Sequence, residues 1–490
     1  MGNERIPPET GKDPKTGRVS KTGLPSKLSG CSWAKVQENT RLNELSVLFR
    51  NQGKKLYLVG GAVRDLFRGK EPHDWDLATD AKPDEVFALF RDLKPRAIVI
   101  PTGIKHGTVT VHYRGAVFEV TTFRTESDYR DGRHPESVIF ASSIEEDLSR
   151  RDFTMNSIAL ELPGGKAVDP FGGIKDIKRK IIRCVGKPRE RFEEDGLRPL
   201  RALRFAAQLD FAVEEFTLRG IRPSLGVTAE VSKERIRDEL DKIIGSSRPS
   251  AAFRLMEQTG LLELVLPELF ACRGIEQKGY HRFDVLDHSL LACDYAAQQG
   301  FPPAVRMAAL FHDIGKPETR QADKQGVWTF YQHEKHSVDL TGELMTRLRY
   351  PNSKTAEVCR LIACHMFHYD EVWSDGAVRR FIIRVGEENL ENLYRLRRSD
   401  SYGITGVEGP GEELAALISR VDKVLAGNSA LSLKDLAVSG NDLIAAGVKP
   451  GKNMGIILGE LLETVVDDPD SNTRGTLLDI ALKFNARYQS

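Results

Sequence analysis

Cysteine is scarce and scattered. The six residues, Cys31, Cys184, Cys272, Cys293, Cys359 and Cys364, form no CxxC pair and no zinc-finger spacing. That excludes a disulfide framework and a cysteine-ligated zinc module, and predicts free buried thiols in a reducing compartment. Long apolar runs are missing as well: nothing approaches the roughly 20 residues that cross a bilayer, and the N-terminus lacks the hydrophobic stretch of a secretion signal. The expectation is a cytoplasmic chain with no membrane partner. An excess of one charge is also lacking, since 71 Lys and Arg against 70 Asp and Glu leave a net +1. Any contact with nucleic acid must therefore come from a local gathering of basic side chains. No internal repeat is present, and nothing in the sequence sets an oligomeric state.

What is present is enough chain for several cores. At 490 residues the molecule exceeds the size at which one core stops growing, so three or four domains are expected. Residues 1–32 are rich in Pro, Gly, Lys and Thr without apolar periodicity and read as a flexible basic tail. Residues 33–172 alternate strand and helix signals, with strands expected at 56–59, 74–77, 108–112, 117–121, 138–140 and 157–160. From residue 173 the period is mostly 3.6, giving helical segments over 173–275, 276–405 and 406–490. The predicted fold class is a mixed α/β head followed by all-α domains.

The chemistry concentrates in the head. A strand ending in Gly60-Gly61 and followed by a helical pattern lets the backbone approach a phosphate and sets a helix N-terminus against it, although a glycine pair after a strand is by itself more often a plain turn. Asp74-Trp75-Asp76 places two carboxylates on one strand face. Paired carboxylates of this kind offer hard oxygen ligands to Mg²⁺ for two-metal phosphoryl transfer. Glu119, inside Val117-Phe118-Glu119-Val120, is a candidate third carboxylate, or else an edge-strand charge. Asp152 and Asn156, and likewise Asp195 and Arg198, lie at helical spacings that share a face. Arg198, Arg201 and Arg204 recur every three residues as a basic stripe suited to a triphosphate. Eleven Lys/Arg against five Asp/Glu between Lys175 and Arg204 make this the local basic patch. Pro199 is tolerable only in a first helical turn, so a helix should start near Asp195.

Read in order, Leu58-Val59-Gly60-Gly61-Ala62-Val63-Arg64-Asp65, Asp74-Trp75-Asp76, Arg150-Arg151-Asp152-Phe153-Thr154-Met155-Asn156, and Glu194-Asp195-Gly196-Leu197-Arg198 with Arg201-Ala202-Leu203-Arg204-Phe205 resemble the motifs of class II tRNA nucleotidyltransferases and bacterial poly(A) polymerases. The resemblance spans about residues 55 to 245. It implies a catalytic nucleotidyltransferase palm over 33–172 and a helical neck over 173–275 that selects the nucleotide. On this resemblance Asp74, Asp76 and Glu119 are catalytic, with Asp74 and Asp76 on Mg²⁺. Gly60, Gly61, Arg64, Arg151, Asp152, Asn156, Asp195, Arg198, Arg201 and Arg204 bind the nucleotide. Asp152 and Asn156 take the ribose, and Asp195 with Arg198 serves as an amino-acid template for C or A.

The partners so implied are the tRNA 3′ end, ATP and CTP. The segment 121–135, polar and glycine-containing, is read as a mobile loop; the resemblance makes it the lever for switching from C to A and argues against an enzyme that adds only CC. Residues 436–455, with Gly447-Val448-Lys449-Pro450-Gly451, resemble the tRNA-binding tail of the same enzymes.

A second constellation, His288, His312-Asp313 and Asp400, resembles the ligands of an HD-family domain over 276–405, implying a divalent transition metal. His333, His336 and His365 are candidates for a second ion or are ordinary histidines. The expected activity is template-independent CCA addition. An A-adding-only enzyme, a poly(A) polymerase and an HD phosphohydrolase with an RNA-binding head stay open.

Overall fold

The computed structural model describes residues 36–489 except 37, 73, 92, 94–96, 127–137, 278–280, 410 and 428–430. The chain divides into two compact units: residues 1–198 with 211–220, and residues 199–210 with 221–490.

The first unit is built on a seven-stranded mixed sheet. Its strands are β1 (Leu56–Val59), β2 (Trp75–Thr79), β3 (Ile98–Gly103), β4 (Thr108–Tyr113), β5 (Ala116–Thr122), then β8 (Ala159–Glu161) and β9 (Ala167–Val168). They lie in the order β3-β4-β5-β2-β1-β8-β9. Between β5 and β8 in sequence, β6 (Arg124–Glu126) and β7 (Val138–Phe140) pair with each other. All four residues of β1 are buried, as an unbroken apolar run in a central strand requires. Helix α1 (Thr40–Asn51) is capped by Asn39, whose side chain accepts from the Arg41 and Leu42 amides; this satisfies two donors the helix cannot.

Helix α2 (Gly60–Phe67) leaves β1 directly, and α3 (Pro83–Arg91) opens with Pro83, Asp84 and Glu85, a favourable first turn. Helix α4 (Ile144–Ser149), capped by Ser143, packs Ile144 and Leu148 onto Tyr57, Val59, Ala78, Phe123 and Ala159. Helix α5 (Gly173–Arg179), the short parallel pair β10 (Ile181–Ile182) and β11 (Ala212–Val213), and α6 (Pro188–Glu194) complete the unit.

Three strand expectations shift. β2 begins at Trp75, leaving Asp74 one residue ahead of it; β8 begins at Ala159, because residues 154–156 form a 3-10 turn closed by Ser157; and β3 and β6 are additional. The helical stretch expected from residue 173 is broken by β10 and β11. Residues 1–32 and the core of the 121–135 loop lie outside the described residues.

The second unit is helical. Helix α7 (Arg198–Leu209) carries all but its first residue into it, and α8 (Lys233–Ile244) follows. Helices α9 (Val285–Gln298), α10 (Pro303–Phe311), α11 (Lys316–Thr319), α12 (His333–Arg347), α13 (Asn352–Cys364) and α14 (Leu390–Thr405) supply the histidines and aspartates discussed below, with the hairpin β12 (Gln321–Ala322) and β13 (Trp328–Thr329) between α11 and α12. Towards the C-terminus, α15 (Lys452–Asp467) and α16 (Arg474–Gln489) close over Leu436, Val438, Leu443 and Val448. No described helix is long and apolar enough to cross a membrane.

Candidate active site

β2 and β5 run parallel with Asp76 opposite Glu119, so the two carboxylates belong to neighbouring positions of one sheet. β5 is flanked by β4 and β2, which removes the edge-strand explanation of Glu119. Asp74 is exposed at the approach to β2, two residues from Asp76. Burial raises the Asp76 pKa above 3.8, with Glu119 and Asp74 adding to the rise and Arg151 and Arg64 opposing it. A buried carboxylate set beside two others is short of positive charge, and oxygen donors of this kind suit Mg²⁺.

Gly60 makes the turn from β1 into α2 at φ +71°. A Cβ there would lie 3.1 Å from Asp76 Oδ2 and 3.3 Å from an Arg151 terminal nitrogen. Glycine is thus required twice, for the left-handed backbone and for the approach. The α2 amide end, Asp76 and Arg151 share one cradle.

Arg151 is held from behind. Asp147, fully buried on α4, accepts from Arg151 at 3.1 Å and from Arg150 at 2.9 Å. Burial alone would raise the Asp147 pKa, but the two guanidinium groups outweigh it and lower it below 3.8. Arg151 Nε is buried with no hydrogen-bond partner among the described residues, an unspent donor beside the cradle. Arg64 pairs with Asp65 and donates to Asn156 Oδ1 at 3.1 Å, while Asn156 donates to Asp152 Oδ1 at 3.1 Å. The structure therefore joins Arg64, Asn156 and Asp152 in one hydrogen-bonded chain.

The neck motif is arranged differently from expectation. α7 starts at Arg198, so Pro199 occupies the first turn where its missing N–H costs nothing; Asp195 stands three residues ahead, after α6. Asp195 Oδ1 accepts from the Leu197 amide at 3.1 Å. Arg198 is 7% exposed, pairs with Glu194 at 2.6 Å and donates to the Arg191 and Arg150 carbonyls. In this conformation its terminal nitrogens engage Glu194 and two backbone carbonyls. The other arginines of the basic stripe are paired within the helical unit: Arg204 is buried and pairs with Glu239 of α8 at 2.6 Å, and Arg201 reaches the same carboxylate at 4.0 Å. A buried acid without a partner would be costly, which is why Arg204 turns inward, while Arg201 stays partly exposed.

In the helical unit, His288 of α9, His312 and Asp313 after α10, and Asp400 of α14 come together. His288 Nε2 lies 3.1 Å from Asp400 Oδ1 and 3.4 Å from Asp313 Oδ2; His312 Nε2 lies 3.4 and 3.3 Å from the same two oxygens. His333 and His365 join the cluster at Asp313, whereas His336 is half exposed and turned to Glu318. The field differs across the cluster. Burial opposes a charge on His312, yet Asp313 and Asp400 raise its pKa to about 10, while burial and the His312 charge drive His365 down to about 3.

Comparison with known proteins accounts for the series. Residues 56–183 match the poly(A) polymerase head domain, 210–272 the RNA and SrmB-binding site of polymerase A, and 320–481 the tRNA nucleotidyltransferase domain 2 family. The CCA-adding enzyme of Limosilactobacillus reuteri is 33% identical over 430 residues, covering 87% of this chain and 92% of that one.

The chain belongs to the CCA-adding enzyme family.

The Lactobacillus delbrueckii member is 34% identical over 428 residues, with 87% and 93% covered. The Geobacillus stearothermophilus member reaches 47% over 212 residues, 43% of this chain and 51% of that one. Among solved structures, the Bacillus stearothermophilus CCA-adding enzyme in complex with CTP superposes with a TM-score of 0.69 at 28% identity, over 92% of this chain and 98% of that one. Relative to the motifs read from the sequence of this family member, the structure adds Asp147 and Glu239, and it gives Glu194, already inside a motif, its pairing with Arg198. Asp147 and Glu194 precede Arg151 and Arg198 by four residues, an ion-pair spacing readable in advance. Glu239 lies 35 residues beyond Arg204 and gave no local signal.

Proposed function

We propose that this chain adds CCA to the 3′ end of tRNA, using CTP and ATP without a nucleic-acid template. The observation that carries the reading is the Gly60 cradle, in which a helix N-terminus, Asp76 and Arg151 meet beside Glu119, in a chain that aligns with CCA-adding enzymes over 87% of its length. Asp74 and Asp76 would hold Mg²⁺, with Glu119 as the third carboxylate. When bound, the ion supplies activation of the RNA 3′-hydroxyl and charge neutralisation on the triphosphate.

The chain's own residues do the rest. The α2 amide end at Gly60 and Gly61 with Arg64 and Arg151 receives phosphate oxygens. The Asp152–Asn156 pair offers acceptor and donor atoms to a ribose. Asp195 and Arg198 select the base once Arg198 turns out from Glu194, and Arg201, partly exposed, with Arg204 attends the nucleotide from the same helix. The proposed division is the palm over 33–172, the neck over 173–275, an HD-type domain over 276–405 and a tRNA-binding tail over 406–490, acting in the cytoplasm. In the HD-type domain, His288, His312, Asp313 and Asp400 would take a divalent transition metal.

The test is incorporation of labelled CTP and ATP, supplied separately, into tRNA ending in the discriminator base or in CC. The expected result is C addition to the first and A addition to the second, both abolished by Asp74→Ala or Asp76→Ala. ATP use on CC ends with no CTP use at all means an A-adding enzyme. Long A tails on any RNA mean a poly(A) polymerase, and phosphate release without growth means a hydrolase.

A further inference from the structure

Two rows of side chains cross the sheet beside Asp76. In one, Asp76, Glu119, Thr110 and Ile100 pair in turn across β2, β5, β4 and β3; in the next, Val117, His112 and Ile98 do so across β5, β4 and β3. Directly opposed residues share a face, and the face recurs every second residue, so both rows look the same way. The residues between them, Val109, Val111, Phe118 and Val120, are buried on the other side of the sheet. On the carboxylate side, Ile98 is 60%, Val117 49% and Ile100 38% exposed, and His112 and Glu119 are exposed with them.

A solvated sheet face is ordinarily polar. Here β-branched apolar side chains flank an imidazole, and the row of Val117, His112 and Ile98 spans about 10 Å, two strand spacings, without a carboxylate, lysine or arginine. Farther along, the hydroxyls bond to one another: Thr102 Oγ1 lies 2.7 Å from Thr110 Oγ1, and Thr108 Oγ1 lies 3.0 Å from Thr121 Oγ1.

The geometry of the reaction says what comes to this face. With the triphosphate received at Gly60 and Arg151, it lies on the β1 side of Asp76. In phosphoryl transfer the attacking and leaving oxygens are roughly in line through phosphorus. The RNA 3′-hydroxyl must then reach the carboxylates from the side away from the leaving pyrophosphate, which is the side of β5, β4 and β3.

We infer that the row of Val117, His112 and Ile98 is a stacking platform for the base next to the RNA 3′ terminus. The inference rests on the CCA-adding reading and gives that site the surface that holds the end of the RNA. Single-stranded ends are recognised by stacking their unpaired bases on flat side chains, histidine among them. Stacking tolerates any base, as a terminus that changes with each addition requires. His112 supplies the ring, and Val117 and Ile98 its apolar flanks. The row lies about 7 Å along the strands from Asp76 and Glu119, two residues away, so a base seated there leaves the terminal 3′-hydroxyl at the carboxylates.

The test uses the full-length protein and two RNAs, a tRNA ending in CC and the same tRNA with an abasic residue at the first of those two positions, with ATP incorporation as the readout. With the unaltered protein the abasic RNA should show a KM about tenfold higher, the worth of one stacked base. His112→Ala should raise the KM for the natural RNA by a similar factor, add nothing on the abasic RNA, and cause no comparable rise in the KM for ATP. His112→Phe, which keeps a flat ring, should retain the lower RNA KM. Ile98→Asp should raise it by setting a carboxylate beside the strand. Thermal melts check that each variant is folded. Equal KM values for the two RNAs, or a rise in His112→Ala that is the same on both, overturn the platform. An Ile98→Asp protein that keeps its RNA KM and instead splits a dimer on size exclusion gives the face to a second copy of the chain. No incorporation by the unaltered protein into either RNA fails the CCA-adding reading, and the inference falls with it; normal incorporation with RNA KM values that no variant moves overturns the inference alone.

Discussion

Arg151 can lie against Gly60 only because Asp147 holds it there, and Asp147 can be ionised in a buried position only because Arg150 and Arg151 hold it. Each charge is the condition for the other, so removing the carboxylate leaves two guanidinium groups short of a partner. Asp147→Asn should cost about 3 kcal/mol of stability, the usual loss on breaking a buried ion pair, and urea denaturation of the variant reads it directly. The pH dependence follows from the direction of the shift. The folded carboxyl is held below its ordinary 3.8, so its stabilisation is complete above that value and is lost as pH falls through the lower folded pKa. The variant should therefore lose less stability than the unaltered protein on acidification below about pH 4. A parallel acid limb in the two proteins would show that Asp147 is not ionised in the fold.

Asp195 belongs to the same scale. Its carboxylate now spends one lone pair on the Leu197 amide, and the reading as a base selector requires the rest of its acceptor capacity. Asp195→Ala should lower the preference for CTP and ATP over GTP and UTP by about tenfold or more, the worth of a charged hydrogen bond. Unchanged ratios of kcat/KM with a uniformly lower rate would assign it to holding the α6–α7 turn instead.

The junctions between elements decide where these side chains go. Gly60 joins β1 to α2 at a positive φ, and an alanine there should destabilise the fold by only about 1 kcal/mol. Its Cβ, 3.1 Å from Asp76 Oδ2, would displace the carboxylate, and a displacement of this kind costs catalysis about 100-fold. A thermal melt and an incorporation rate on Gly60→Ala separate the two effects; a large fall in stability with normal activity would contradict the assignment.

Gly173 is the opposite case. A Cβ there would sit 2.0 Å from the Thr154 carbonyl oxygen, where α5 lies on the 154–156 turn and Thr154 donates to Asp176 at 2.7 Å. Backbone has to move, so Gly173→Ala should cost about 3 kcal/mol and loosen Asn156 with it.

Much at this scale was legible from the chain. The apolar run Leu56–Val59 read as a strand, the helical spacing after Gly60-Gly61 as a helix, and the patterns around Asp76 and Glu119 placed both on strands. What stayed hidden depended on partners distant in sequence. The parallel register of Asp76 with Glu119 is set by the sheet order. β3 keeps Ile98 and Ile100 largely exposed, so its pattern carries no burial alternation to read. Arg204 looked like a free cation because Glu239 lies on another helix. The histidine cluster was recognisable as a set, but only the fold shows His333 and His365 facing Asp313 while His336 turns away.

Across the whole molecule, the two units are interleaved in sequence, with residues 211–220 returning to the first after 199–210 has entered the second. That return is structural. Ala212 and Val213 pair in parallel with Ile181 and Ile182, Phe211 is buried and lies 5.6 Å from the Arg68 guanidinium, and Thr217 Oγ1 accepts the buried Cys184 amide at 3.0 Å. A fragment ending at residue 198 forfeits all three.

Losing one buried aromatic is worth about 2 kcal/mol, and stranding a buried amide about 1–3 kcal/mol. Together they amount to a large share of a domain's net stability. The fragment 36–220 should therefore unfold cooperatively in urea, whereas 36–198 should show a much lower midpoint or no transition, even though both contain every strand of the seven-stranded sheet. Equal midpoints would mean that the sheet and α2–α6 suffice on their own, and that the returning segment answers to the helical unit rather than to the head.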